Sequence, residues 1–268
     1  MPIDAGWISH RAATPDPVPL NPGAVARLDA LLHGWAAVFA ERREDVASGA
    51  FRHGSRGLGN DEATSFLRGV DGGQLAVDEA GYVVPLCVLP KKRPQRYALC
   101  CKSGDGVTVN LEYLIQLGVM AELHRDLDWP VAQLRVELSE FDGSIVDEQG
   151  APLLVMEAKC RRSSGQDTLA QLLSKWVRFA EAEEPPTRGE NSANKYLDLL
   201  RITEHRRTVG VLLVADGARW WLNAERADGH RLRFEETDPA VRGVLPELSR
   251  SAPRSSSAPP PTAQSPSR

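Results

Sequence analysis

The fold of this chain is decided by the stretch Phe141-Asp142-Gly143-Ser144 and by Leu153-Leu154-Val155-Met156-Glu157-Ala158-Lys159 further along. Between them, Asp147-Glu148-Gln149-Gly150 has the composition of a turn, with a glycine available for positive φ. This pattern predicts two neighbouring strands joined by a hairpin. The hairpin brings Asp142 and Glu157 to the same end of the strand pair.

The end of the second predicted strand carries the candidate chemistry. Residues two apart in a strand share a face, so Glu157 and Lys159 point the same way and Ala158 points opposite. Two carboxylates, from Asp142 and Glu157, then converge with one ammonium. Carboxylate oxygens suit a hard cation such as Mg²⁺, which keeps several waters for chemistry. This combination is typical of phosphodiester hydrolysis.

Asp142 and Glu157-Ala158-Lys159 resemble the motif of the PD-(D/E)XK nuclease superfamily. The apolar run Leu153 to Met156 resembles the buried strand of that family, and the resemblance extends over roughly 107–234. An E-x-K alone occurs in many helices; here the apolar run, the upstream acid and flanking helical segments add weight. The proline that gives the family its name is missing before Asp142.

The resemblance implies a fold, an activity and a cofactor. The expected fold is α/β, with a restriction-endonuclease-like α-β-β-β-α-β core, a central mixed sheet flanked by helices, and an N-terminal extension. The expected activity is that of a Mg²⁺- or Mn²⁺-dependent deoxyribonuclease. Asp142, Glu157 and the backbone carbonyl of Ala158 would hold the ion, which lowers the pKa of a bound water. Lys159 would orient that water and offset charge in the transition state.

Several further residues are candidates for the same site. Members of the family often place a Glu on the first core helix, and either Glu112 or Glu122 could serve; we favour Glu112, which lies nearer the helix start. Gln171 resembles the Gln that follows the motif lysine in RecB-like nucleases. Lys175, one turn later, could position the scissile phosphate. The simpler interpretation of each is a solvent-facing side chain on a helix.

Arg161 and Arg162 follow the motif strand directly, where backbone phosphates near the metal would need positive charge. Elsewhere the net charge of −4 is not typical of a strong general nucleic-acid binder. Other basic clusters, at 91–96 and 201–207, are interpreted as solvated surface.

The remaining patterns predict the organisation of the 268 residues. We expect an irregular Pro-rich segment over 1–21, an accessory region over 22–104, the nuclease-like core over 105–245 and a disordered Ser/Pro-rich tail over 246–268. The accessory region is either an interaction domain or an elaboration packed on the core. Apolar periodicity predicts helices at about 23–47, 107–127, 166–182 and 191–201, and core strands at about 132–140, 143–146, 152–160, 208–215, 219–224 and 231–235.

The composition of the chain predicts the state of its cysteines and its location in the cell. Four cysteines without C-x-x-C spacing indicate reduced thiols rather than a zinc site or a disulfide framework. No apolar run approaches the ~20 residues of a membrane span, and the N-terminus lacks the apolar region of a secretory signal. The expected location is therefore cytoplasmic, with no membrane partner.

The function predicted from these observations is a metal-dependent nuclease acting on DNA, with RNA left open. The alternative is a catalytically inactive nuclease-fold scaffold or nucleic-acid-binding subunit. A third interpretation is a nuclease subunit whose partner, bound through the N-terminal region, supplies DNA binding; the acidic net charge favours it over a free-standing enzyme. A role in antiviral defence, such as restriction, rests on resemblance alone. The sequence leaves open whether the cleavage is endo- or exonucleolytic, which sequences are cut, whether the chain forms homo-oligomers, and whether the site holds one or two metal ions.

Overall fold

The structure is a computed structural model that describes residues 2–12, 23–43, 46, 58–87, 96–160, 165–215 and 217–237. Within these residues the chain forms six α-helices and a short 3₁₀ helix, Val131–Gln133. The helices are α1 (Ala5–Ala12), α2 (Ala24–Glu41), α3 (Asn60–Asp71), α4 (Leu111–Arg125), α5 (Gly165–Glu181) and α6 (Asn191–His205). The strands are β1 (Leu75–Val77), β2 (Tyr82–Pro85), β3 (Tyr97–Ala98), β4 (Cys100–Ser103), β5 (Gly106–Val109), β6 (Leu134–Val136), β7 (Gly143–Val146), β8 (Pro152–Lys159), β9 (Thr208–Ala215), β10 (Ala218–Arg226) and β11 (Leu232–Glu236).

The largest sheet has six strands in the order β11-β10-β9-β8-β7-β6. Strands β8 and β9 are parallel, and the other neighbours are antiparallel. The sheet is therefore mixed, and the predicted α/β class is confirmed. Two smaller sheets, β1-β2-β3 and the hairpin β4-β5, come from the segment before α4.

Strand β9 shows how the large sheet is buried on both faces. Leu212 and Val214 belong to one hydrophobic cluster, together with residues of α2, α3 and α4. Val211, Leu213 and Ala215 belong to a second cluster, with residues of α1, α5 and α6. Because side chains alternate along a strand, a strand covered on both faces carries a continuous apolar run. The core is a helix–sheet–helix sandwich, and β8 lies inside it.

Two glycines let α4 approach its neighbours closely. A Cβ on Gly143 would lie 2.8 Å from Met120 Sδ of α4 and 2.9 Å from Met156 Cε of β8. A Cβ on Gly118 would lie 2.9 Å from the backbone nitrogen of Phe66 in α3. A larger residue at either position would push α4 away from the sheet or from α3, so both glycines fix the position of α4.

The predicted start of α4 at residue 107 is wrong. Residues Gly106–Val109 instead form β5 and pair with β4. Asn110 then caps the helix, because its side chain accepts a hydrogen bond from the Tyr113 N–H at 3.2 Å. The predicted end of α2 near residue 47 is also wrong, because the helix ends at Glu41.

The strand predicted over 132–140 is shorter than expected. Only Leu134–Val136 is extended, because Val131–Gln133 forms the 3₁₀ helix. After β6, Glu137 and Ser139 have φ of 52° and 59°, which an extended strand does not allow. The chain therefore reaches Asp142 through a tight loop over 137–142.

The first residues are not irregular as predicted, since they include α1. Asp4 accepts a hydrogen bond from the Trp7 N–H at 2.8 Å and thereby supports the first turn. Trp7 is buried and packs edge-on against Trp220 of β10, with ring centroids 5.8 Å apart. The Ile3 N–H also donates to the Phe234 carbonyl at 3.0 Å. Burial of Ile3, Trp7 and Ile8, rather than local composition, holds this segment.

The segment between α1 and α4 shares its core with the large sheet. Leu32, Phe66 and Leu99 lie in the same cluster as Leu114 of α4 and Met156 of β8. The segment therefore packs directly against α4 and the large sheet. The expected tail over 246–268 lies outside the described residues. Among those that are described, no helix has the length and hydropathy to cross a membrane.

Candidate active site

The β7–β8 hairpin brings Asp142 beside Glu157. Gly143 lies opposite Met156 and Ser144 opposite Val155. Continuing this register by one residue places Asp142 opposite Glu157, on the same face of the sheet. Hydrogen bonds from the backbone hold Asp142: the Glu137 N–H donates to its carbonyl at 2.8 Å, and the Ala158 N–H donates to its Oδ2 at 2.7 Å.

Glu157 is the buried centre of the cluster, at 1% exposure. Lys159 Nζ lies 2.9 Å from Glu157 Oε1. Lys195 Nζ lies 2.8 Å from Glu157 Oε2. A buried carboxylate is costly unless it is paired, and here each of its oxygens faces an ammonium.

Lys195 is a member of the cluster that the sequence did not predict. It lies in the first half of α6 and is 4% exposed. Its ammonium also donates a hydrogen bond to the carbonyl of Glu140 and lies 5.2 Å from the centre of the Phe141 ring. A sequence signal exists: Lys195 lies within the buried stripe of α6, beside Tyr196 and one turn before Leu199.

The structure separates the two glutamates considered on α4. Glu112, in the first turn, has its Oε1 3.8 Å from Lys159 Nζ. Glu122 pairs instead with Arg219 of β10 at 2.8 Å and accepts a hydrogen bond from Ser65 at 2.8 Å. Glu112 therefore borders the cluster, and Glu122 belongs to a different polar network.

Gln116 is a second residue that sequence reasoning missed. It is 2% exposed, and its side-chain amide donates to the Asp142 carbonyl. It lies one helical turn after Glu112 and hence on the same side of α4. That spacing is the signal that could have found it. Gln116 fixes the backbone of Asp142 rather than its carboxylate.

The cluster shifts the pKa values of Asp142 and Lys159, which are both partly exposed. Burial, together with the neighbouring Glu157, raises the pKa of Asp142 to about 7, and the two lysines and the Ala158 N–H offset only part of the rise. For Lys159, burial alone would lower the pKa, but Glu157, Asp142 and Glu112 together raise it above the ordinary value. Lys159 therefore stays charged at neutral pH, and the protonation of Asp142 changes there.

In the part of the chain that the structure describes, no contact connects the other predicted residues to this cluster. Gln171 is exposed on α5. Lys175, also on α5, forms an ion pair with Glu190, just before α6. Arg161 and Arg162 lie outside the described residues. The predicted roles of these four residues stay predictions.

A divalent cation needs several oxygen ligands around one point. Within the part of the chain that the structure describes, no group of three or more His, Cys, Asp or Glu side chains could hold a metal ion. The predicted set has two carboxylates, Asp142 and Glu157, and the Ala158 carbonyl. All three donors are oxygens, which suits Mg²⁺ or Mn²⁺. Burial is the main cause of the raised pKa of Asp142, and both oxygens of Glu157 face ammonium groups, so these residues do not form a ready cation site in this structure.

No protein-family model matches the chain, and no curated protein and no solved structure is significantly similar to it. Fold and site together define an α/β protein with a mixed six-stranded sheet. At the ends of two adjacent strands it carries a buried cluster of two carboxylates and two lysines.

Proposed function

We propose that this chain is a metal-dependent nuclease that hydrolyses phosphodiester bonds of DNA, built on a restriction-endonuclease-like core. The observation that carries the proposal is the meeting of Asp142, Glu157 and Lys159 at one end of the β7–β8 hairpin. The order α4-β6-β7-β8-α5, followed by α6 and β9, supports it, because it contains the expected α-β-β-β-α-β succession. A role in a defence system such as restriction remains part of the proposal.

Asp142, Glu157 and the Ala158 carbonyl are the groups that would hold Mg²⁺ or Mn²⁺. When bound, the ion supplies an activated water and neutralises charge on the phosphate. Asp142 must be ionised to act as a ligand, and its raised pKa places that step near neutral pH. A cation on Glu157 would compete with Lys159 and Lys195 for the two oxygens of that carboxylate.

Lys159 is the ammonium better placed to leave Glu157. It is the last residue of β8, and its side chain is 21% exposed, whereas that of Lys195 is 4% exposed. Turned towards solvent, Lys159 can contact a phosphate oxygen and offset negative charge that develops in the transition state. Glu112, 3.8 Å from Lys159, can hold the ammonium near the cluster.

One observation favours a second candidate, the inactive scaffold. Both oxygens of Glu157 already face lysines, so the cluster is able to hold the hairpin and α6 together without a metal. Buried ion pairs of this kind occur in structural networks as well as in active sites.

Cleavage of DNA by the purified chain separates the two candidates. Supercoiled plasmid, linear duplex and single-stranded RNA are incubated with Mg²⁺ or Mn²⁺, with EDTA as the blank. The nuclease proposal predicts cation-dependent cleavage that Asp142→Asn abolishes. An exposed acid in the β4–β5 turn provides the matched control, Asp105→Asn, which should cleave at the wild-type rate. Cleavage that persists in EDTA, or in Asp142→Asn, contradicts the proposal.

A further inference from the structure

The tight loop before β7, which leads directly into Asp142, has an unfavourable backbone. Glu137 and Ser139 have φ of 52° and 59°, in the left-handed region that is unfavourable for residues other than glycine. Within the loop, the Glu137 N–H donates to the Asp142 carbonyl at 2.8 Å and the Phe141 N–H to the Leu138 carbonyl at 3.2 Å. A loop of this shape persists only when the surrounding structure holds it.

Helix α6 holds the loop at two consecutive residues. The ammonium of Lys195 donates a hydrogen bond to the Glu140 carbonyl. Further along the helix, Arg201 Nη2 lies 3.5 Å from Ser139 Oγ. The buried Asp198 orients that guanidinium, because its Oδ1 accepts hydrogen bonds from Arg201 Nε at 3.0 Å and Nη2 at 2.7 Å.

Lys195 differs from Arg201 because it also contacts the second strand of the hairpin. Its Nζ lies 2.8 Å from Glu157 Oε2 on β8. One ammonium therefore joins the loop before β7 to β8. Lys195 is 4% exposed, so water does not readily replace either contact.

The alignment of Asp142 with Glu157 needs such a link. Like charges at the ends of neighbouring strands repel each other, and the hydrogen bond from the Ala158 N–H to Asp142 Oδ2 works against that repulsion. Lys195 offsets the charge of Glu157 and restrains the residues just before Asp142. Without Lys195 the repulsion rises and the loop loses a donor at the same time.

We infer that Lys195 is a positioning residue for Asp142: it ties the loop before Asp142 to Glu157 and so holds the Asp142 carboxylate against the Ala158 N–H. The inference rests on the proposed function, in which Asp142 takes part in phosphodiester hydrolysis. Lys195 is buried, so it acts through the loop and Glu157 rather than on the substrate. A displacement of about 1 Å in a reacting group can cost about a hundredfold in rate.

Amide hydrogen exchange followed by NMR tests the positioning without any measurement of activity. In Lys195→Met the Ala158 amide should exchange about tenfold faster or more, relative to the central β9 amides of Val211 and Leu212. A purely structural loss of stability would speed up exchange at Ala158 and in β9 alike. Lys102→Met, at an exposed position of β4, is the control and should leave the ratio unchanged. A wild-type ratio in Lys195→Met overturns the inference.

The kinetics of DNA cleavage connect the position of Asp142 to the reaction. Lys195→Met should lower kcat by about a hundredfold and leave KM for duplex DNA within about twofold. Lys195→Arg keeps a cation and a donor and should recover part of the loss. An unchanged kcat in Lys195→Met overturns the inference and leaves the nuclease proposal standing. A wild type that cleaves nothing overturns the nuclease proposal, and the Ala158 amide then decides whether Lys195 positions Asp142.

A double variant keeps the test decisive if Lys195→Met does not fold. Glu157→Gln/Lys195→Met leaves neither charge of the buried pair, but the Glu140 carbonyl still lacks its donor. The Glu137 and Phe141 amides of the loop should then exchange faster than in the wild type, relative to the central β9 amides. Wild-type exchange at both loop amides would overturn the inference.

Discussion

The backbone N–H of Ala158 donates a hydrogen bond to Oδ2 of Asp142 at 2.7 Å. This bond joins Asp142, the residue before β7, to Ala158, which lies between Glu157 and Lys159 in β8. It fixes the Asp142 carboxylate beside Glu157 even though the two carry like charge. The environment that results is unfavourable for an ionised Asp142, and several measurable properties follow from that.

The contribution of Asp142 to the stability of the protein should fall as the pH rises from about 4 to about 7. Asp142 has a folded-state pKa of about 7, whereas an aspartate in an unfolded chain titrates near 3.9. Between these values the unfolded chain has lost this proton and the folded chain keeps it, so a rise in pH favours unfolding. Asp142→Asn removes the effect, because the amide stays neutral. The variant should therefore melt above the wild type at pH 8, with a difference that shrinks towards pH 4. Parallel melting curves across this range would contradict the raised pKa.

Adding Mg²⁺ or Mn²⁺ should raise the melting temperature of the wild type. A ligand that binds only the folded chain stabilises it by mass action, by about 2.7 kcal/mol at a concentration of 100 times its dissociation constant. The rise should increase with ion concentration and disappear in Asp142→Asn. Differential scanning fluorimetry with and without EDTA measures it. A rise that persists in Asp142→Asn would place the ion elsewhere in the protein.

Removing the Glu157 carboxylate should destabilise the protein through Lys195. Glu157→Gln leaves the buried ammonium without its counter-charge, and breaking one partner of a buried pair typically costs about 3–5 kcal/mol. Adding Lys195→Met to this variant removes the unpaired charge and should restore much of the lost stability. Chemical denaturation of wild type, both single variants and the double variant gives the coupling energy. Additive single effects would show that the pair is not coupled.

The N-terminal helix should contribute measurably to stability. Trp7 packs on Trp220, and its Nε1 donates to Glu236 at 2.9 Å. Trp7→Ala should cost about 3 kcal/mol in the free energy of unfolding, as large-to-small changes at buried aromatic sites do. A neighbouring exposed position on α1, Ser9→Ala, serves as the control. Equal stabilities of Trp7→Ala and wild type would mean that α1 does not pack on the sheet in solution.

The placement of Asp142, Glu157 and Lys159 could be predicted because it depends on local rules. Alternation along a strand and the geometry of one hairpin decide which side chains share an end and a face. The buried strand β9 was also predictable, since a continuous apolar run needs cover on both faces. These predictions required no knowledge of contacts between distant segments.

Other parts of the site depend on tertiary contacts, which a local pattern can indicate but does not fix. Lys195 reaches Glu157 only because α6 packs against this end of the sheet, and a lysine on a helix ordinarily faces solvent. Gln116 joins the cluster only through its hydrogen bond to the Asp142 carbonyl. The Pro-rich residues after α1 suggested an irregular N-terminus, but burial of Trp7 outweighed local composition. The sequence favoured Glu112 over Glu122, but the pairing of Glu122 with Arg219 is visible only in the structure.

The rate of plasmid cleavage by Lys159→Ala is the decisive measurement for the proposed nuclease activity. Lys159 is at the end of β8, and Glu157 keeps Lys195 when Lys159 is removed, so the fold should lose no more than about 1 kcal/mol. DNA binding should weaken only modestly, because other phosphate contacts supply most of the affinity. We expect that Lys159→Ala, folded and saturated with Mg²⁺, cleaves slower than wild type by orders of magnitude, whereas Lys102→Ala cleaves normally. Cleavage by Lys159→Ala at the wild-type rate, or no cleavage by the wild type with any divalent cation, would contradict it.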